Sequence, residues 1–255
     1  QILQSLPQAI QTMLDPAECG PACLSLCQDV QGEIFDYPEE FFKERIHNIR
    51  RPRPDDFQIK QAVEKIKNSK KPIIISGGGV FYSDAMDELG NFAIKHNIPV
   101  TQTVMGYSTM KRDHSHFVGP IGGLGGKAAN NLAKETDLAI CIGTKLADFT
   151  TGSWANFENP EFKLVSINIA RHDANKHLAE AVIGDAKVTL TELSNAIGDW
   201  KSSDSWHKKS QVELKSWNEY VDKESGPTNQ ELPSYAHAVG AIYRNSDPTD
   251  IAVTA

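Results

Sequence analysis

The sequence predicts an α/β fold with a doubly wound, mostly parallel β-sheet over residues 55–198. Short apolar runs rich in β-branched residues alternate there with segments that carry apolar residues at helical spacing, which is typical of βαβ units. The clearest run is Ile73-Ile74-Ile75, which ends at Gly77-Gly78-Gly79. A continuous apolar run of this kind is found in strands that are covered on both faces. Right-handed crossovers then place helices on both faces of the sheet.

The individual elements of this domain follow from the same alternation. Asp55 with Gln58 resembles a capping box before the first helix, and Ser83 is expected to cap the second. The glycine-rich segment after the second strand is expected to be a long loop. Strands are predicted at residues 73–75, 98–100, 138–142, 164–169 and 181–183, and helices around residues 59–66, 86–93, 128–133 and 190–197.

Residues before this domain show a different pattern. Apolar spacing predicts a helix over residues 3–13, which Asp15-Pro16 ends. Residues 21–27 form a short apolar run bounded by turn signals, so we expect a strand there. The Arg-Arg-Pro-Arg-Pro run at 50–54 is stiffened by proline and is expected to be a linker.

The tail, residues 199–255, differs again. Leu214, Trp217 and Val221 predict a helix with little of its own to pack against. A helix over residues 235–242 and a strand over residues 250–254 are also expected, without partners in this chain. Because the sequence starts within a helical pattern and stops just after a strand-like run, we expect a fragment of a longer protein.

Composition excludes several classes of protein. The 255 residues include 26 basic and 33 acidic side chains, a net charge of −7, and scattered basic residues of this kind argue against nucleic-acid binding. A chain of this length buries roughly 70–75% of its unfolded surface and needs no disulfides. No apolar run reaches the roughly 20 residues of a membrane helix, and no targeting peptide is visible. Four cysteines make no secreted disulfide framework, so a cytoplasmic location is expected.

Ligands of doubly wound sheets bind beyond the carboxyl ends of the strands, near the point where the strand order reverses. Glycines such as Gly77–Gly79 allow backbone N–H groups to approach a phosphate, although a tight turn explains them equally. Tyr82 replaces the last glycine of a dinucleotide fingerprint, and no acidic residue lies between Glu88 and Asp113 to bind a ribose. These departures disfavour a nicotinamide site.

Two further glycine and aspartate patterns have structural explanations. The run Gly122-Gly-Leu-Gly-Gly126 precedes Lys127, but Ala128 follows where a phosphate-binding loop needs serine or threonine, so a mobile or close-packed loop is expected. Asp148 and Asp185 each follow a strand, where an aspartate binds a ribose or caps a helix. Helix capping is the favoured interpretation of Asp185.

Histidine and cysteine patterns give no metal site. His114-x-His116 lacks a completing cluster and is interpreted as part of a polar loop. Cys23 and Cys27, if on one strand, lie roughly 13 Å apart, which is too far for a disulfide or one metal ion. With Cys19 they are expected to be buried structural thiols. The residues alone therefore predict a nucleotide-type α/β fold without visible catalytic machinery.

Longer motifs resemble one known family. Lys71–Val80 and Asp137–Asp148 are similar to the central domain of thiamine-diphosphate-dependent enzymes of the acetolactate synthase and pyruvate oxidase group. Cys27-Gln-Asp-Val30 resembles the end of that family's first domain, with Cys27 in place of the usual proline. Asp148-Phe-Thr-Thr151 and Asp173–His177 resemble the branch that hydrolyses a cyclic diketone in myo-inositol breakdown.

The resemblance implies a division of the chain. Family members have a pyrimidine-binding, a Rossmann-like central and a pyrophosphate-binding domain. On this basis residues 1–42 end the first domain, 43–54 form a linker, 55–198 form the central domain, 199–232 form a helical linker and 233–255 begin the third domain.

The resemblance also implies a function for the parent protein. With thiamine diphosphate and Mg²⁺, a full-length homo-oligomer would break a carbon–carbon bond of a cyclic diketone and add water. The residues that bind both cofactors would lie outside this chain, so no catalytic residue is expected in it and the fragment alone would be inactive.

In some relatives the central domain binds FAD across the strand ends, and here we expect that crevice to be empty or to hold an adventitious nucleotide. Such a ligand would lie at Gly77, Gly78, Gly79, Gly143, Thr144 and Asn168. Three alternatives remain: a stand-alone FAD- or NAD-binding α/β module, another thiamine-diphosphate enzyme of the same group, and an oligomerisation scaffold without a ligand.

Overall fold

A six-stranded parallel sheet forms the centre of the computed structural model, which describes residues 1–247 and 249–251. Its strands are β1 (Pro72–Ser76), β2 (Val100–Gln102), β3 (Phe117–Pro120), β4 (Leu138–Ile142), β5 (Lys163–Asn168) and β6 (Glu180–Ile183). The strand order is β3-β2-β1-β4-β5-β6, and every pair is parallel. The predicted α/β fold class is confirmed.

The described part of the chain contains helices that cover the two faces of the sheet and helices in the segments that flank it. They are α1 (Ile2–Leu14), α2 (Asp56–Asn68), α3 (Gly78–Tyr82), α4 (Met86–His96), α5 (Lys127–Glu135), α6 (Asp148–Thr151), α7 (Arg171–Ala174), α8 (Ala186–Ile197), α9 (Asp204–Glu224) and α10 (Tyr235–Asn245). Residues of α2, α4 and α8 belong to the hydrophobic core on one face, and residues of α5 and α9 belong to the core on the other.

The sequence of β1 explains why it lies in the middle of the sheet. Ile73, Ile74 and Ile75 are all fully buried. Successive side chains of a strand point to opposite faces, so Ile74 joins the core under α2, α4 and α8, while Ile73 and Ile75 join the other core. Burial of each of these side chains stabilises the fold by about 1.5–3 kcal/mol.

Strand β3 was not predicted, because its segment was interpreted as part of a long glycine-rich loop. Only Phe117 and Val118 are apolar before Gly119 and Pro120, which is too short a run to show a strand period. The strand pairs with β2 at the edge of the sheet, and its register is irregular beside Val100. Tertiary pairing rather than local sequence therefore determines this strand.

Of the predicted helix caps, the one at Asp55 is confirmed, and the roles of Gln58 and Ser83 are corrected. Asp55 does cap α2, since its carboxylate accepts a hydrogen bond from the Phe57 N–H. Gln58 takes no part in a capping box, because its side-chain oxygen accepts from the Ile183 N–H at 2.9 Å and fastens α2 to β6. Ser83 follows α3 and does not cap α4, which begins after Ala85.

The strand predicted over residues 21–27 is wrong. This segment is irregular and exposed, and none of the described strands pairs with it. An unpaired strand leaves its backbone polar groups without partners, so an apolar run alone does not form one. The expected burial of Cys19, Cys23 and Cys27 is also wrong, because all three thiols are exposed.

Helix α9 is packed more extensively than its sequence suggested. Trp206 is only 3% exposed, and its indole N–H donates to the Pro72 carbonyl at 2.8 Å. Leu214 and Trp217 pack against the core that α5 covers. Trp206, Leu214 and Trp217 of α9 thus have partners in the domain, and the expectation of little packing is wrong for this face of the helix.

The remaining helices of the flanking segments agree with the sequence pattern. The helices predicted over residues 3–13 and 235–242 are α1 and α10. The strand predicted over residues 250–254 lies mostly outside the described residues. None of the helices in the described part of the chain combines the length and apolar character needed to cross a membrane.

The arginine- and proline-rich segment at 50–54 is fixed to the domain. Arg51 lies 3.1 Å from the Asp185 carboxylate and also donates to the Ser83 carbonyl. The Asp185 N–H donates to the Pro52 carbonyl at 2.9 Å. The Asp185 side chain caps α8 as predicted, accepting hydrogen bonds from the first turn of that helix.

We expect Asp185→Ala to lower the free energy of unfolding by about 1–3 kcal/mol. The variant removes the α8 cap and leaves Arg51 without its carboxylate. Urea unfolding followed by circular dichroism measures the change. Asp199→Ala is the matched control, because Asp199 is exposed just beyond the other end of α8. Equal effects of the two substitutions would contradict the role assigned to Asp185.

Candidate functional site

The strand order reverses between β1 and β4, and this is the position where doubly wound sheets bind ligands. The two strands pair in register up to Ser76 and Ile142. β5 lies on the far side of β4, so the turns after β1, β4 and β5 meet at one edge. All six residues proposed from the sequence lie in or beside these turns.

The turns after β1 and β4 are in direct backbone contact. The Gly77 N–H donates to the Ile142 carbonyl at 2.8 Å, and the Gly79 N–H donates to the Gly143 carbonyl at 2.9 Å. A Cβ atom at Gly77 would lie 2.6 Å from Thr144 Cβ, and one at Gly79 would lie 2.6 Å from Gly143 Cα. The approach of one turn to the other therefore requires glycine at both positions.

Gly143 has a second reason to be glycine. Its φ of +59° lies in the left-handed region that side chains rarely adopt. Gly78 faces the turn after β2, where a Cβ atom would lie 2.9 Å from the Met105 carbonyl oxygen. Contacts within the chain thus account for all four glycines of the predicted site.

Thr144 and Asn168 are buried and joined to each other. The Asn168 amide donates to the Thr144 carbonyl at 3.1 Å, and its side-chain oxygen accepts from the Ala170 N–H at 3.0 Å. The Thr144 hydroxyl accepts from the Leu146 N–H at 3.3 Å. These polar groups hold the turns after β4 and β5 together.

The structure thus brings the six predicted residues into one cluster, as the sequence indicated. Their glycine and amide groups make contacts that shape the turns themselves. Their role in binding a cofactor stays a prediction.

Asp148, the other strand-end carboxylate, is exposed in the first turn of α6. It accepts a hydrogen bond from the Ser153 hydroxyl at 2.9 Å. It therefore lies outside the buried cluster of Thr144 and Asn168.

The glycine run at 122–126 is a close-packed loop, one of the two forms expected for it. Gly122 has a φ of +106°, and a Cβ atom there would lie 2.9 Å from Thr150 Cα. Gly126 lies under the ring of Trp217 on α9. Lys127 begins α5 directly after this loop.

Several exposed apolar side chains lie in the segments that follow the strands, and no sequence motif had indicated them. They lie on the short helices α3 and α6, in single 3₁₀ turns or in loops, and a position in the segment after a strand is the signal that could have found them. They are Phe81, Tyr82, Met105, Tyr107, Leu124, Phe149 and Leu178.

His114 and His116 do not form a metal site with their neighbours. No group of three histidine, cysteine or acidic side chains among the described residues is placed to hold a metal ion. His114 and His116 lie in the loop before β3, as expected. His116 is buried there, and its Nε2 lies 3.1 Å from Asn97 Oδ1. Its ring stacks on His207 of α9 at 4.1 Å, and burial lowers the pKa of His116 to about 4.

We expect Gly143→Ala to destabilise the fold more than Gly198→Ala, by about 1–3 kcal/mol. Both glycines have positive φ, but a Cβ atom at Gly198 meets nothing within 4 Å among the described residues. At Gly143 the added methyl group would meet Gly79. Chemical denaturation of the two variants measures the difference. Equal stability of the two would show that the turns do not depend on this contact.

Comparison with known proteins gives relatives over most of the chain. A 3D-(3,5/4)-trihydroxycyclohexane-1,2-dione hydrolase of Clostridium perfringens (strain 13 / Type A) is 42% identical over 88% of this chain and 35% of its own length. The protein of the same name from Clostridium botulinum (strain Alaska E43 / Type E3) is 45% identical over 76% of this chain and 30% of its own length. The protein of that name from Bacillus subtilis (strain 168) is 42% identical over 79% of this chain and 32% of its own length.

This chain spans about a third of the length of these curated relatives. A family model described as the central domain of thiamine pyrophosphate enzymes matches residues 59–193, which is more than half of the chain and includes the whole sheet. The resemblance seen in the sequence is confirmed, and the chain belongs to the thiamine pyrophosphate enzyme family through its central domain.

Proposed function

We propose that this chain is the central part of a thiamine-diphosphate-dependent hydrolase. Its substrate would be 3D-(3,5/4)-trihydroxycyclohexane-1,2-dione, whose ring opens when water cleaves a carbon–carbon bond in myo-inositol catabolism. The observation that carries this proposal is an identity of 42–45% to hydrolases of that name over 76–88% of the chain.

The described residues contain no group of three or more acidic, histidine or cysteine side chains placed for a metal ion. Their strand-end residues are glycines and the buried side chains of Thr144 and Asn168, which already bind other turns of this chain. No catalytic step is assigned to this chain. In our proposal both cofactors bind to other parts of the parent protein.

The part that this chain contributes is structural support. The sheet is buried on both faces, which gives a rigid domain. The segment at 50–54 and helix α9 are fixed to that domain by the hydrogen bonds of Asp185 and Trp206. We propose that these two attachments hold the flanking domains of the parent at fixed positions.

Exposed apolar faces support a larger assembly. Most apolar side chains of α10 are exposed, including Tyr235, Val239 and Ile242. A contiguous exposed apolar face is typical of a surface that meets another protein. We propose that they pack in a cytoplasmic homo-oligomer of the parent, with no nucleic-acid or membrane partner. We further propose the boundaries 1–42, 43–54, 55–198, 199–232 and 233–255 given by the family resemblance.

The parent protein is expected to show the activity, and this chain alone is not. The polypeptide encoded by the complete gene should open the ring of the cyclic diketone only with thiamine diphosphate and Mg²⁺ present. Product is measured by chromatography, with residues 1–255 as the matched sample. Turnover by residues 1–255 would contradict the proposal. So would a complete protein that acts on a 2-oxo acid and not on this diketone.

A second function, nucleotide binding, is favoured by one observation. The strand order β3-β2-β1-β4-β5-β6 is the order of classic dinucleotide-binding domains, and four glycines lie where the order reverses. Against it, β2 ends at Gln102 rather than at an acidic residue that would bind a ribose. NAD and FAD both contain an adenosine ribose, so this residue disfavours both, and we keep FAD as the form of this candidate only because the family resemblance implies FAD at these strand ends.

Calorimetric titration of residues 1–255 with FAD, NAD and thiamine diphosphate separates these functions. We expect no heat of binding with NAD or with thiamine diphosphate and Mg²⁺. Saturable heat with FAD, lost in Asn168→Ala but kept in Asn175→Ala, would establish the strand-end site. Binding of thiamine diphosphate by this chain would contradict the assignment of its site to other domains.

A further inference from the structure

A pair of stacked histidines joins α9 to the rest of the domain. The rings of His116, just before β3, and His207, in the first turns of α9, lie 4.1 Å apart with 20° between their planes. His116 is 7% exposed. From this geometry we propose that docking of α9 is a pH-sensitive contact, which opens when the stacked histidine pair gains a proton. The inference does not depend on the proposed enzymatic function.

The hydrogen bonds of Asn97 fix the protonation pattern of His116. The Asn97 amide nitrogen donates to the Ser202 carbonyl at 3.2 Å and to the Asp204 carboxylate at 3.1 Å. Its oxygen therefore faces His116 Nε2, which must donate. His116 Nδ1 accepts from the Ser115 hydroxyl at 3.0 Å in the neutral ring. A second proton would enter at Nδ1, and the Ser115 hydroxyl would then have to turn from donor to acceptor.

A second proton on the His207 ring is disfavoured for a different reason. Its Nδ1 is buried and has no hydrogen-bond partner among the described residues. An imidazolium carries a proton on both nitrogens, so charging His207 would bury an N–H that no described group accepts. A charge on either ring would also lie against the stacked partner. The docked arrangement therefore requires both rings to be neutral.

Neighbouring charged groups do not offset the effect of burial on the pKa values of the two rings. Asp204 on α9 favours a charged His207, but burial outweighs it and the pKa of His207 is lowered. His114 disfavours a charge on His116, and the pKa of His114 is itself lowered by burial despite Asp113. At the end of α4, burial lowers the pKa of His96, and Lys95 and Lys201 lower it further.

Acid therefore favours the released helix. Burial lowers the pKa of His116 from about 6.5 to about 4 in the docked state, so the released state binds the proton more tightly. The stabilising contribution is fully present above pH 6.5 and is lost as the pH falls towards 4. For His116 alone, release becomes about 20-fold more favourable between pH 7 and pH 5.

Release would uncover a defined part of the structure. Trp206 would lose its hydrogen bond to the Pro72 carbonyl, and Trp217 would leave Gly126. The sheet would remain intact, because its strands pair with one another and not with α9. A local change that leaves the sheet folded distinguishes this contact from acid unfolding of the whole domain.

Hydrogen exchange of residues 1–255 at pH 7, 6 and 5 tests the proposal. Protection factors, which correct for intrinsic exchange rates, are expected to fall at least fivefold for amides 207–214 between pH 7 and pH 5. Those of Ile74 and Ile140 should stay constant. Unchanged protection of α9 at pH 5 would overturn the proposal, and so would equal loss of protection in α9 and in the strands.

The variant His116→Gln keeps a side-chain N–H for Asn97 but cannot gain a proton. It should retain α9 protection at pH 5, while His172→Gln, an exposed position on α7, should behave as the unchanged chain. If His116→Gln does not fold, His116→Asn is measured in the same way. An acid-induced loss of α9 protection in the folded His116 variant that equals the loss in the unchanged chain would show that the histidine pair is not responsible.

Discussion

The contact between the turns after β1 and β4 is the constraint on which the architecture depends. These strands are distant in sequence, yet they pair over five positions, from Pro72 with Leu138 to Ser76 with Ile142. Beyond the pairing, Gly77 and Gly79 lie against Gly143 with no room for a side chain. Any larger residue would push the two central strands apart, so the reversal of strand order depends on these glycines.

The sequence predicted the parts of the fold whose burial pattern is local. β1, β4 and β5 are covered on both faces, so β1 and β4 contain continuous apolar runs and β5 is interrupted only by Ser166 between Leu164 and Ile167, while α2, α5 and α8 show an apolar stripe. β3 contains two apolar residues and depends on pairing with β2. The stripe of α9 was visible, but a stripe does not identify the surface that it covers. The same limit explains residues 21–27, whose apolar run has no described strand as a partner.

For the candidate site, the sequence predicted which residues lie together but not what contacts them. Carboxyl ends of adjacent parallel strands must meet at one edge, so the sequence alone was enough to group Gly143, Thr144 and Asn168 with the first glycine turn. A glycine shows only that something approaches the backbone closely, and it does not distinguish a phosphate from another turn of the same chain. The structure shows that another turn occupies that space.

The segments that enter and leave the domain are held by polar contacts at the ends of helices. Asp185 at the start of α8 fixes the entering segment through Arg51 and Pro52. Asn97 at the end of α4 fixes the leaving segment through Ser202. Helix ends present unpaired N–H and carbonyl groups, so they bind a passing chain in one direction and register. These contacts of Asp185 and Asn97 position the flanking segments without involving the sheet. A substitution at either residue can therefore displace a flanking segment while the core stays folded.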